Sequence, residues 1–238
     1  MRKAIVIGAT SGIGSAIAQK LAADQYLVGI TGRRKNILDE WSAASPALYV
    51  SQSFDVSETE TIHKHLNELV GKLKGLDLLI ISAGTGDINE SLDFELEKQM
   101  IDTNVSGFTC ISDWAYRYFE KQGSGHLVAI SSVAGLRGSR QAPAYSATKS
   151  YQINYLEGLR QKSNKEKSGI TITDIRPGFV DTKMAKSPVK FWVASADKAA
   201  DQIYSAIKNK RNIVYVTRRW RMIAWIVKLI PGFLYARL

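Results

Sequence analysis

One cysteine, Cys110, is the only thiol in the 238 residues, so no intrachain disulfide can form. The three histidines supply no ligand spacing with it, His63 and His65 sitting two apart on a polar helical stretch, and no metal site is expected. A reducing, cytoplasmic setting follows. Met1, Arg2 and Lys3 run straight into a short strand pattern without an apolar leader segment, so no export signal is expected either. Acidic residues stop at Asp201. Beyond it stand eight positive charges, at Lys208, Lys210, Arg211, Arg218, Arg219, Arg221, Lys228 and Arg237. Against a net charge of +10 this leaves the body of the chain nearly neutral, and a nucleic-acid partner is not expected. No internal repeat, low-complexity segment or bilayer-length apolar run interrupts the chain.

What is present is alternation. With 45% hydrophobic residues the chain is long enough for one well-buried unit. Strand patterns fall at residues 2–7, 26–31, 48–54, 76–81, 126–130, 170–175 and 213–216. Between them lie helical patterns, including a long one over residues 92–120 in which Asn104, three before Gly107, predicts a break. Ser57 with Glu60 reads as a capping box opening another helix. This order predicts an α/β fold, a doubly wound parallel sheet with ligands at the carboxyl ends of the strands.

The stretch at residues 131–149 carries the chemistry. A strand runs into Ser131 and Ser132, a glycine-rich loop follows, and Pro143 opens a helix bearing Tyr145 and Lys149. Those two are i and i+4, one turn apart on one face. A cation about 4 Å from a phenol, at an effective dielectric of about 20, is worth about 4 kcal/mol or roughly three pKa units. Such a phenol can donate or accept a proton at a carbonyl oxygen held by a second donor, and Ser132 is that donor. The spacing alone is weak, because Tyr204 and Lys208 repeat it. Thirteen residues before Tyr145 stands Ser132 at a strand end, whereas Phe191 stands thirteen before Tyr204, so Tyr204 reads as ordinary helix surface or core.

At the other end of the sheet, Gly8, Gly12 and Gly14 join the first strand to the first helix, where backbone can approach a pyrophosphate at a helix N-terminus. After the second strand, where an acidic residue would take ribose hydroxyls, stand Gly32, Arg33 and Arg34. Two arginines suit a 2′-phosphate, so NADP is expected over NAD. Positive charge at the start of the following helix opposes its dipole and calls for an anion nearby.

Together these residues resemble the short-chain dehydrogenase/reductase family, its single-domain oxidoreductase branch, over residues 1–217. The resemblance implies a Rossmann-like NADP-binding catalytic domain there. It implies that the turn at Gly8, Thr10, Ser11, Gly12, Ile13 and Gly14 holds the pyrophosphate, and that Asp55 and Val56 meet the adenine. Ser82, Ala83 and Gly84 match the family's N-A-G segment, and Pro177, Gly178, Val180 and Thr182 match the P-G-x-V-x-T segment at the nicotinamide. Asn104, Ser132, Tyr145 and Lys149 match the catalytic set. Tyr145 would move the proton, Lys149 would lower its pKa and hold the nicotinamide ribose, Ser132 would orient the substrate oxygen, and Asn104 would anchor a water leading to solvent. Ile7 and Ser82 depart from the family, which usually has threonine and asparagine there. The implied activity is NADPH-preferring hydride transfer to or from a small carbonyl or alcohol, in a homodimer or homotetramer. A non-enzymatic NADP-binding sensor or scaffold on the same fold is the main alternative. A nucleotide-sugar dehydratase or epimerase would need a larger substrate domain.

Two stretches remain, the second of them beyond the resemblance. Residues 183–195 read as a lid above the crevice, and Phe179, Phe191 and Trp192 with Arg137, Lys183 and Lys186 would suit an amphipathic or anionic substrate. Residues 218–238, RRWRMIAWIVKLIPGFLYARL, are too short and too charged to span a bilayer, and Pro231 should end or kink the helix. This amphipathic extension has two readings: packing over the pocket or a subunit interface, or lying in an anionic membrane surface, peripherally at the inner face.

Overall fold

The computed structural model describes residues 1–182 and 192–237. Among them β1 (Lys3–Ile7), β2 (Leu27–Gly32), β3 (Tyr49–Ser53), β4 (Leu78–Ile81), β5 (Gly125–Ile130), β6 (Ile170–Pro177) and β7 (Ile213–Val216) form one sheet. Its order is β3-β2-β1-β4-β5-β6-β7, with all neighbours parallel. Each expected strand is present, with small shifts at its ends. The helices between the strands are α1 (Gly12–Ala23), α2 (Lys35–Ala44), α3 (Thr59–Leu73), α4 (Phe94–Ile101), α5 (Phe108–Gln122), α6 (Pro143–Glu166) and α7 (Ala196–Lys208). After β7 come α8 (Trp220–Leu229) and α9 (Gly232–Tyr235).

Side chains on a strand alternate faces, and here both faces are covered. Ala4, Val6, Val28, Ile30, Leu78 and Ile80 pack with α1, α2 and α7, while Ile5, Ile7, Leu79 and Ile81 pack with α3, α5 and α6. That is why the strands read as near-continuous apolar runs. The order of succession reverses between β1 and β4, the switch point at whose carboxyl ends such sheets take ligands.

The break expected at Asn104 in the stretch over residues 92–120 is a π-helical turn, Asp102–Gly107, which joins α4 to α5 and carries Asn104. An added residue in a helix re-aims the side chains around it, and such turns cluster at functional sites. One helix expectation needs correction: the capping box at Ser57 is absent. Glu58 precedes α3 without a side-chain cap. Ser57 is held elsewhere, its N–H and hydroxyl donating to Asp55 Oδ1 at 3.0 and 2.8 Å. The expected lid falls mostly on residues 183–191, outside the described residues. Pro231 does end the apolar helix, and α9 restarts after it.

Candidate active site

At the β1 end of the crevice, Gly8 has φ +86°, and a Cβ there would lie 2.7 Å from the Ala83 nitrogen. A Cβ on Gly14 would lie 2.2 Å from the Gly8 carbonyl oxygen, so only bare backbone lets α1 begin this close to the strand. Ser82 N donates to Ile7 O at 2.9 Å and keeps the β4 exit beside this turn. Gly12 faces Thr182, and Ile13 packs on the α1 side of the core. Ser11 sits at the N-cap of α1 in extended geometry but caps nothing. Its hydroxyl instead accepts from Arg34 at 2.7 Å, and Thr10 Oγ1 accepts from the same guanidinium at 2.7 and 3.1 Å.

Arg33 reaches Asp55 at 3.5 Å. Burial alone would push the Asp55 carboxyl up, but the two Ser57 hydrogen bonds and the Arg33 charge hold it below the usual range. Asp55 is thus part of the anion that the start of α2 requires. Thr10, Ser11, Arg33, Arg34 and Asp55 line one rim, with Val56 half-buried beside it. A cradle that a Cβ would fill, opening on a helix N-terminus and flanked by two guanidiniums, fits a dinucleotide carrying an extra phosphate.

At the β5 end, Ser131 and Ser132 follow the strand. Ser131 Oγ donates to Asp174 and, at 3.0 Å, to Ile175 O. Asp174 is ion-paired with Arg176 at 2.6 Å, and both are buried. This cluster locks the backbone one residue before Ser132, whose Oγ accepts from Ala134 N at 3.1 Å. The Ser132 hydroxyl lies near enough to the Tyr145 phenol to bear on its titration. Burial raises the Tyr145 pKa, and the Ser132 hydroxyl works against that rise.

Lys149 Nζ stands 6.0 Å from the Tyr145 ring centroid, and Ile130 O at 3.0 Å and Gln152 Oε1 at 2.9 Å accept its protons. Burial pulls its pKa down to about 8, with Asp174 opposing.

Asn104 is fully buried, and its side chain is fully engaged. Oδ1 accepts from Thr85 N at 2.9 Å, while Nδ2 donates to Thr85 O at 2.7 Å and Thr148 Oγ1 at 3.1 Å. Its backbone oxygen accepts from Gln152 Nε2 at 2.9 Å. The side chain therefore braces the loop after β4 against α6. Gln152 was not singled out from the sequence, although it is three residues past Lys149 and so on the same helix face. Thr85 and Thr148 carried no signal, being ordinary residues whose role depends on the π turn.

The Arg137 side chain is taken up by the C-terminal extension: NH1 donates to Val227 O at 3.3 Å and Ile230 O at 2.9 Å, and the guanidinium stacks 4.2 Å from the Tyr235 ring. Phe179 meets Trp220 edge to face at 5.5 Å. Pro177 ends β6, and Gly178 N donates to Val216 O at 2.6 Å. Val180 bridges to Ala194 beside Thr182. Among the described residues no group of three or more His, Cys, Asp and Glu side chains could hold a metal.

Residues 2–191 match the family model described as short chain dehydrogenase. The chain belongs to that family, and it is an oxidoreductase acting on CH–OH or C=O groups. An uncharacterized oxidoreductase of Staphylococcus epidermidis is 32% identical over 189 residues, 77% of this chain and 80% of that protein. One from Myxococcus xanthus is 32% identical over 205 residues, 82% and 80% respectively. Among solved structures the fold matches ElxO with NADP bound (TM-score 0.78, 22% identity, 90% of this chain and 96% of that one). It also matches a 3-ketoacyl-ACP reductase from Sinorhizobium meliloti 1021 (0.78, 23%, 90% and 96%).

Proposed function

We propose that the protein transfers hydride reversibly between NADPH and a small carbonyl compound or secondary alcohol, with Tyr145 as general acid or base. The observation that carries the reading is the Tyr145 phenol set beside the Ser132 hydroxyl and Lys149, across the carboxyl ends of the strands from the glycine turn where Arg34 is held. When bound, the nicotinamide supplies or accepts the hydride. Ser132 and Tyr145 hold the substrate oxygen, and the raised phenol stays protonated at neutral pH, as a proton donor must. Lys149, fixed by Ile130 O and Gln152, faces the nicotinamide ribose, with Pro177, Gly178, Val180 and Thr182 beside the ring. Asn104 positions Thr85 and Thr148 around them.

A preference for NADPH over NADH rests on Arg33 and Arg34, and the NADP bound to the structural neighbour ElxO agrees with it. The enzyme works in the cytoplasm as a homodimer or homotetramer, residues 1–217 forming the catalytic domain. With Asn104, Ser132, Tyr145 and Lys149 all in place, nothing favours a sensor that has lost catalysis.

The test is a fluorescence titration of both cofactors. Replacing Arg33 and Arg34 by Ala should weaken NADPH by a few kcal/mol, since each charge-assisted contact to phosphate is worth roughly 1.5 to 3 kcal/mol, and leave NADH almost unchanged. Equal losses for both would end the 2′-phosphate assignment. A screen of NADPH oxidation against keto-lipids, keto-sugars and 3-oxoacyl thioesters then searches for the substrate.

A further inference from the structure

Helices α8 and α9 lie against the two loops that line the substrate side of the crevice. Trp220 and Ala224 are buried, and the Trp220 indole packs on Gly178, where a Cβ would stand 2.0 Å from the ring. Arg137, from the loop after β5, binds the Val227 and Ile230 carbonyls at the C-terminal end of α8. Tyr235 Oη donates to Gly138 O at 2.7 Å. The extension is pinned along its inner face.

Its outer face is apolar and open. Met222 (71% exposed), Trp225 (64%), Ile226 (56%) and Leu229 (78%) fall at i, i+3, i+4 and i+7, a stripe roughly 100° wide. Phe233 (68%) and Leu234 (46%) extend the patch. Arg221 and Lys228, one above the other on the wheel, flank the stripe, and Arg218, Arg219 and Arg237 stand at its ends, all exposed. Nothing acidic follows Asp201.

We propose that this face docks on an anionic lipid bilayer, lying in its interface with Trp225, Leu229 and Phe233 at acyl depth and the basic residues at the headgroups. Charge decides between lipid and a second copy of the chain. Two such faces brought together on a two-fold axis would set Arg218, Arg221 and Lys228 against their own copies with no acid between them, whereas anionic headgroups satisfy the cations while the acyl region takes the apolar stripe. Crossing the membrane is not an option, because no helix among the described residues is long and apolar enough. Docking sets the loops bearing Ser132 and Gly178 close to the bilayer. On the oxidoreductase reading above, the substrate is then a carbonyl or alcohol carried in the lipid phase.

The experiment is flotation of the full chain with phosphatidylcholine vesicles, with and without phosphatidylglycerol, at low and high salt. The protein should float with the anionic vesicles at low salt and bind at least about tenfold less at high salt, where the Debye length is short. Trp225→Glu with Leu229→Glu, and separately Arg221→Gln with Lys228→Gln, should each reduce binding about tenfold or more. Both should keep NADPH affinity and the melting midpoint, since all four side chains are exposed and outside the crevice. The proposal is overturned if the wild type ignores anionic vesicles at low salt or binds neutral ones equally. It is likewise overturned if Trp225→Glu with Leu229→Glu dissociates an oligomer while vesicle binding is unchanged, which would assign the face to a second copy. Vesicle binding without NADPH oxidation would defeat the oxidoreductase reading and leave the lipid contact standing.

Discussion

Helices α6 and α7 each carry a tyrosine followed four residues later by a lysine, and the ammonium lies at nearly the same distance from the ring in both. The separations are 6.0 Å for Lys149 over Tyr145 and 5.5 Å for Lys208 over Tyr204. The difference lies in what meets the two polar ends. Tyr204 donates to Asp24, the residue closing α1, which also pairs with Arg2 at 2.7 Å. Burial and that carboxylate push the Tyr204 phenol up to about 12, so it is a fixed donor tying α7 to α1. Tyr145 meets Ser132, a neutral hydroxyl, and Lys149 is buried where Lys208 is exposed. A Tyr/Lys spacing therefore becomes chemistry only when the phenol meets a group that can share a substrate oxygen.

The largest separation between the two helices should appear in turnover. Tyr145→Phe should lower kcat by about 10² to 10⁴, the usual worth of a general acid, while NADPH affinity stays within a few-fold. Tyr204→Phe should leave kcat unchanged. Steady-state rates on the substrate found by screening decide it: a Tyr145→Phe enzyme keeping more than about a tenth of the rate has another acid. Lys149→Ala should cost at least about tenfold in both turnover and cofactor affinity, because it also strands Ile130 O and Gln152 in a buried site. Lys208→Ala should change neither.

The contrast also explains which parts of the molecule could be read in advance. The seven strands were legible because a parallel sheet buried on both faces writes itself as apolar runs, and the glycines because their backbone geometry excludes other residues. Tyr204 was separable from Tyr145 because Ser132 sits at a strand end. The direction of Lys149 was not legible. It depends on Gln152 and on the π turn that carries Asn104, and a six-residue change of helical register has no composition of its own. The partners of Arg137 were not legible for a similar reason: they are the Val227 and Ile230 carbonyls, and carbonyls are the same in every residue.

A finer comparison turns on the third member of the α6 set. Lys149 is drawn down to about 8 by burial, so a reaction that needs the ammonium should show kcat/KM falling as pH rises through about 8. Gln152 accepts from the charged form and favours it. Gln152→Leu removes that acceptor, lowers the lysine further and should move the falling limb down by about one pH unit; Gln152→Glu supplies an anion and should move it up. A role limited to packing would lower the rate without moving the limb. Lys208→Ala should leave the profile in place.

The smallest effect lies in stability, where α7 should respond and α6 should not. The Tyr204 bond to Asp24 joins two helices across 180 residues of sequence, but Asp24 is open to solvent, which screens the contact and keeps its contribution small. Tyr204→Phe should therefore lower the urea midpoint slightly, with the slope unchanged. In a double-mutant cycle with Asp24→Asn, most of that loss should appear as coupling, since Asp24→Asn weakens the same contact. Tyr145→Phe should leave the midpoint unchanged or raise it, because burial already raises the phenol's pKa and removing it removes a desolvated hydroxyl. If Tyr145→Phe instead lowers stability as much as Tyr204→Phe does, the two tyrosines are both structural pins and the distinction drawn from Ser132 fails.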